Sequence, residues 1–119
     1  MKNKITNKII IRCDAGLASN IGTGHVKRIL FLVKYLIKNQ FTNLNSIIIL
    51  HKEGPEYNLA KEILKYSKIN ISYTSFNQSS STKDELHKIL ETGAKYVIFD
   101  TLGTKKYLIS NLRKNNKII

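Results

Sequence analysis

Apolar residues come in two arrangements along this chain: short β-branched runs, and longer segments in which they recur every three or four positions. The continuous run from Lys8 to Cys13 predicts a strand buried on both faces of a parallel sheet. Ser46 to Leu50, Ile69 to Tyr73 and Tyr96 to Phe99 predict three more strands. After a loop from Asp14 to Gly24, a helix should begin at Gly24 or His25 and end near Asn39, because Ile29, Leu32, Val33, Leu36 and Ile37 keep helical spacing. Leu30, Phe31 and Tyr35 widen its apolar face, which predicts burial over more than half of its surface. Gly54-Pro55 should open a second helix, with the proline in the first turn and Leu59, Ile63, Leu64 and Tyr66 facing the core. The polar run Asn77 to Ser81 predicts a loop that ends in a helix cap. Thr82 with Glu85 reads as a capping box, Ser81 is the rival cap, Leu86, Ile89 and Leu90 form the buried side, and Gly93 is the stop. Thr104 should cap a last helix through Leu112, after which Lys117 to Ile119 begins a fifth strand.

Four β-α units in succession predict an α/β, Rossmann-like three-layer domain, with a parallel sheet in strand order 3-2-1-4-5 and helices on both faces. A single domain accounts for residues 1–119. A strand that stops after three residues points to one half of a larger protein.

Composition changes this picture little. Cys13 is the only cysteine, so no internal disulfide can form, which fits a reducing cytosol; its place at a strand end makes it a buried bystander. A formal charge of +12 raises nucleic acid as a partner. The lysines, however, are spread through every segment among many Asn and Ile residues, the mark of a compositional bias and a solvated surface, so no nucleic-acid partner is expected. The field they create would still draw in anionic small molecules. No targeting segment and no membrane span is evident, and a cytoplasmic location is expected.

The candidate chemistry lies between the first strand and its helix. In a sheet of this order strands one and four flank the point where ligands bind, beyond their carboxyl ends. Asp14 follows strand one, Asp100 ends strand four, and His25 with Arg28 opens the first helix, so these four should converge on one crevice. Gly22 and Gly24, on either side of Thr23, let the backbone turn sharply and offer N–H groups to a diphosphate at a helix start carrying about half a positive charge. Lys27 replaces the third glycine of a dinucleotide fingerprint and no Gly-Lys-Ser/Thr follows, which argues against NAD and ATP. His25 is the candidate general base, since the helix dipole favours the uncharged ring; the competing role is a helix-start histidine that only bonds a neighbouring loop. Arg28 and Arg12 could form ion pairs or meet the negative charge of a substrate. Asp14 and Asp100 could orient a loop or a sugar hydroxyl, or serve as caps.

The segments R-x-D-A (Arg12 to Ala15), I-G-x-G-H-V-x-R (Ile21 to Arg28) and YVIFDTLG (Tyr96 to Gly103) together resemble the signature of the PseG/SpsG family. That family comprises nucleotide-sugar hydrolases of pseudaminic acid synthesis and predicted glycosyltransferases of surface and spore-coat polysaccharide. The resemblance implies the N-terminal half of a two-domain, GT-B type fold, whose C-terminal nucleotide-binding domain is absent from this chain. It implies hydrolysis of an NDP-activated amino sugar at the anomeric carbon by direct attack of water, with His25 as base and with no metal or other cofactor. Arg12, Asp14, Gly22, Thr23, Gly24, Arg28, Asp100 and Leu102 would contact a substrate linked to UDP or CMP. Transfer to an acceptor hydroxyl is the alternative, and a non-catalytic half that pairs with a partner chain is another. The chain departs from the family at Leu102, where an aromatic usually faces the site, and in a longer loop between Asp14 and Ile21.

Overall fold

The computed structural model describes residues 5–16, 22–101, 106–114 and 117–118. Four parallel strands form the sheet: β1 (Ile9–Cys13), β2 (Ile47–Glu53), β3 (Ser72–Asn77) and β4 (Tyr96–Asp100), in the order β3-β2-β1-β4. Ile9 aligns with Ile47 on one side and Tyr96 on the other, and Cys13 aligns with Asp100. Lys117–Ile118 run parallel beside Tyr96 and Val97 at the outer edge of β4. The helices are α1 (Gly24–Lys38), α2 (Ala60–Lys65), α3 (Thr82–Glu91) and α4 (Lys106–Leu112). This α/β arrangement is compatible with a Rossmann-like fold. No helix among the described residues is long and apolar enough to cross a membrane.

Strand alternation sorts the core into two layers. Ile9, Ile11 and Cys13 pack with Val26, Ile29 and Val33 of α1, Ile47 and Ile49 of β2, and Ala60 and Leu64 of α2. Ile10 faces the other way, with Leu50, Val97, Leu86 and Ile89 of α3, and Leu108 and Leu112 of α4. Every residue of β1 is buried, as a central strand requires.

The elements depart from the sequence expectations where tertiary contacts outweigh local pattern. Gly54 and Pro55 form a turn, not a helix start: Tyr57 N–H donates to the Gly54 carbonyl at 3.1 Å, Glu56 N–H to the Gln78 side chain at 3.0 Å, and Leu59 N–H to the Ala15 carbonyl at 3.2 Å. Those bonds pin the segment to two loops and delay α2 to Ala60. β3 begins at Ser72 rather than Ile69, because as the edge of the sheet it tolerates the polar run that a central strand would not; the same pairing extends β2 through Glu53. α1 keeps its expected limits, but Phe31 is 74% exposed and Tyr35 57%, so less of its surface is buried than expected. Only one side of the helix meets the sheet. Tyr66, expected in the core, is 77% exposed. Leu90, expected on the buried side of α3, is exposed.

The α3 cap is Ser81, whose hydroxyl accepts from Asp84 N–H at 3.1 Å while the Asp84 carboxylate accepts from Ser81 N–H at 3.3 Å. Asp84 is therefore the capping-box acid, which leaves Glu85 for another task. Gly93 follows the helix with φ +69°, the left-handed stop expected of it. Thr104 and Ile119 lie outside the described residues.

Candidate functional site

Three predicted residues meet at the carboxyl end of β4. α1 presents His25 and Arg28 from its first turn, three positions apart and so on nearly one face. Within β4, Ile98 belongs to the α1-side layer and Val97 and Phe99 to the other. Alternation therefore turns Asp100 towards α1. Its Oδ1 lies 2.6 Å from His25 Nδ1 and accepts from Arg28 Nη2 at 2.7 Å, while Oδ2 accepts from Arg28 Nε at 2.9 Å. Arg28 thus grips Asp100 with both arms of its guanidinium.

The hydrogen bonds from Arg28, joined by one from His25, hold the Asp100 carboxyl below the usual carboxylate range, against a partial burial that pulls the other way. An ionised oxygen at 2.6 Å from Nδ1 leaves one arrangement free of repulsion: Nδ1 carries the hydrogen and donates it. The Arg28 Nη2 approach to Nδ1 at 3.0 Å then follows from both groups sharing Oδ1, and donates nothing to the ring. In the uncharged ring Nε2 then keeps its lone pair. That tautomer, oriented by a carboxylate behind it, is the state in which an imidazole can accept a proton.

The linkage has a definite sign. Because the folded carboxyl sits below its ordinary 3.8, the unfolded chain takes up the proton first as pH falls. Asp100 therefore stabilises the fold above about pH 4, and loses that contribution as pH drops through the lowered value. Urea unfolding midpoints of the wild type and Asp100→Asn should differ most near neutrality and converge as the pH falls through the lowered value. A gap that stays constant with pH would contradict the pairing.

Asp14 and Arg12 do not join this group. Along β1 and the residue that follows it they share the parity of Ile10, so they face α3, one position out of phase with Asp100. Arg12 is 2% exposed. Its Nη1 donates to Asp14 Oδ1 at 2.6 Å, its Nε donates to Glu85 Oε2 at 2.9 Å, and its guanidinium carbon stands 4.7 Å from the Phe76 ring centre. Asp14 Oδ1 also accepts from Lys52 N–H at 2.7 Å. Burial opposes the charge on Arg12, but the two carboxylates outweigh it and the guanidinium is held more firmly protonated than usual. The expected four-residue crevice therefore resolves into a His25–Arg28–Asp100 group and a buried clamp of Arg12, Asp14 and Glu85 that ties β1 and β2 to α3. Arg12 is too deeply enclosed to meet a ligand.

The turn before α1 is partly as expected. Gly22 has φ +62°, which glycine alone adopts without strain, and its carbonyl accepts from Gly16 N–H at 3.0 Å. Among the described residues, none lies within 4 Å of where a side chain on Gly22 or Gly24 would begin. Thr23 occupies the cap position without a side-chain cap bond. Leu102 lies outside the described residues.

Cys13 is fully buried beneath this site; burial, with Asp14 adding to it, pushes its thiol up to about 12. Thiolate at neutral pH is then on the order of a thousandfold scarcer than for a free cysteine, and Ellman's reagent should label Cys13 only as fast as the protein unfolds. Prompt labelling of the folded chain would contradict that burial. His51 is buried at the end of β2, with Nδ1 3.0 Å from the Lys52 carbonyl, and His87 is exposed on α3. Among the described residues no cluster of three or more His, Cys, Asp or Glu side chains is placed to hold a metal ion.

Sequence reasoning missed Glu85 as the partner of Arg12. The signal was available in the helix itself: Glu85 lies one and four positions from Leu86 and Ile89, on the buried side of α3. Compared with known proteins, the chain matches no family model, no curated protein and no solved structure.

Proposed function

We propose that this chain is the N-terminal, base-bearing domain of a cytoplasmic, GT-B type enzyme that hydrolyses an NDP-activated amino sugar, akin to the PseG/SpsG proteins. The observation that carries the reading is the His25–Asp100 pair, 2.6 Å apart, at the carboxyl edge of two adjacent parallel strands and beside the Gly22–Gly24 turn. The motif resemblance around these same residues supplies the substrate class.

In the proposed reaction His25 Nε2 takes a proton from water as that water attacks the anomeric carbon. The bond from that carbon to the diphosphate oxygen breaks with its electron pair, and the nucleoside diphosphate departs. The proton remains on His25, whose imidazolium is stabilised by ionised Asp100. The first N–H groups of α1, to which Thr23 gives no side-chain cap, favour the negative charge that develops on the leaving diphosphate. An acceptor hydroxyl in place of water would make the same arrangement a glycosyltransferase. Most nucleotide contacts would come from a second domain.

The experiment is release of nucleoside diphosphate from a UDP-linked amino sugar by this chain joined to, or mixed with, the polypeptide encoded immediately downstream. Release that depends on His25 supports the reading. Release that is indifferent to His25, or absent with every nucleotide-linked amino sugar, overturns it.

A further inference from the structure

The outer face of α1 carries Lys27, Arg28, Phe31, Lys34, Tyr35 and Lys38, all exposed and spaced so that they form one stripe along the helix. No aspartate or glutamate occurs anywhere between Asp14 and Glu53, so the helix carries no acidic side chain of its own to balance the stripe. Asp100 pairs with Arg28 at the N-terminal end, which leaves three lysines along the remaining length. The exposed rings are the unusual feature. Phe31 stands in water with Lys34 Nζ 6.0 Å from its centre, and Tyr35 stacks on Phe41 at 6.1 Å. A helix face that had only to be solvated would carry mixed charges and no aromatic rings.

Lys34 and Lys38 also line a hollow of about 330 Å³ whose other walls are Ile37, Leu44 and Ile69. The stripe and the hollow are therefore continuous. Their occupant must be anionic to suit the lysines, broad enough to lie along a convex helix of roughly 22 Å, and apolar where it enters the hollow. A nucleic-acid strand meets the first condition and could stack on the rings, but walls of isoleucine and leucine offer a base no hydrogen-bond partner. An anionic lipid surface meets all three: headgroup phosphates for the lysines, the headgroup layer for Phe31 and Tyr35, and an acyl chain for the hollow. We infer that the outer face of α1 seats this domain on an anionic lipid bilayer, with one acyl chain entering the hollow beside Lys34 and Lys38. The inference does not depend on the reaction at His25.

Co-sedimentation with vesicles tests it. The chain should partition at least about tenfold more strongly onto phosphatidylcholine vesicles containing one third phosphatidylglycerol than onto phosphatidylcholine alone, and the difference should vanish at high salt. Phe31→Ser with Tyr35→Ser should weaken partitioning about tenfold while leaving its salt dependence in place. Lys34→Glu with Lys38→Glu should abolish the preference for anionic vesicles. All four positions are exposed, and circular dichroism will show that the variants keep their fold. Equal partitioning of the wild type onto both kinds of vesicle, or onto neither, overturns the proposal. So does displacement from vesicles by a single-stranded oligonucleotide that itself binds through Phe31 and Tyr35, or a Phe31-dependent dimer that forms in place of vesicle binding.

Discussion

Arg12→Ala will destabilise the fold by about 3–5 kcal/mol, the range expected when one partner of a buried ion pair is removed and the others stay behind. The cost arises less from the bonds that disappear than from what remains. Asp14 and Glu85 are both buried, and without Arg12 each keeps a carboxylate in a region largely closed to water. Asp14 would retain only the N–H of Lys52 among its described bonds, and Glu85 would have no described cation. The guanidinium also packs on Phe76, so part of the loss is apolar contact. Urea unfolding monitored by circular dichroism measures the effect. Replacing all three polar residues together by apolar ones of similar volume should restore much of the stability, since a buried ion network is weak evidence of net stabilisation. A loss under about 1 kcal/mol for Arg12→Ala would mean that the clamp is open to solvent.

His25→Asn in the completed enzyme should lower kcat by a factor of about 10²–10⁴, the usual contribution of a general base, with KM little changed. Asparagine can still donate an N–H to Asp100 but has no basic nitrogen to offer the water. Asp100→Asn should depress kcat by a comparable factor for a different reason: an amide opposite Nδ1 no longer requires the hydrogen there, and the ring can present N–H where the reaction needs a lone pair. Arg28→Lys keeps a charge but loses the two-armed grip on Asp100, so its effect should be smaller. Unchanged turnover in His25→Asn would remove His25 from the chemistry.

Much of this arrangement can be read from residue order, and the failures have physical causes. β1 and β2 are central and β1, β4 and the start of β2 are apolar, so their hydrophobic runs mark them, and α1 lies between a glycine turn and a clear loss of periodicity. β3 is an edge strand whose outer neighbours are solvent, which leaves composition uninformative there. The separation of Asp14 from Asp100 was also within reach. Counting from Ile10 to Asp14 and from Val97 to Asp100 shows that the two carboxylates have opposite parity once Cys13 is set beside Asp100, but that register comes from pairing and not from either strand alone. Phe31 and Tyr35 fit the apolar pattern of α1, and only the position of the sheet reveals that they stay exposed.

The tautomer of His25 tests the central claim most directly. Long-range proton–nitrogen correlation spectra of the chain, recorded where the ring is uncharged, should show Nδ1 protonated and Nε2 bare, with the Nδ1 signal altered in Asp100→Asn. A ring that carries its hydrogen on Nε2, or one indifferent to Asp100, would contradict the account.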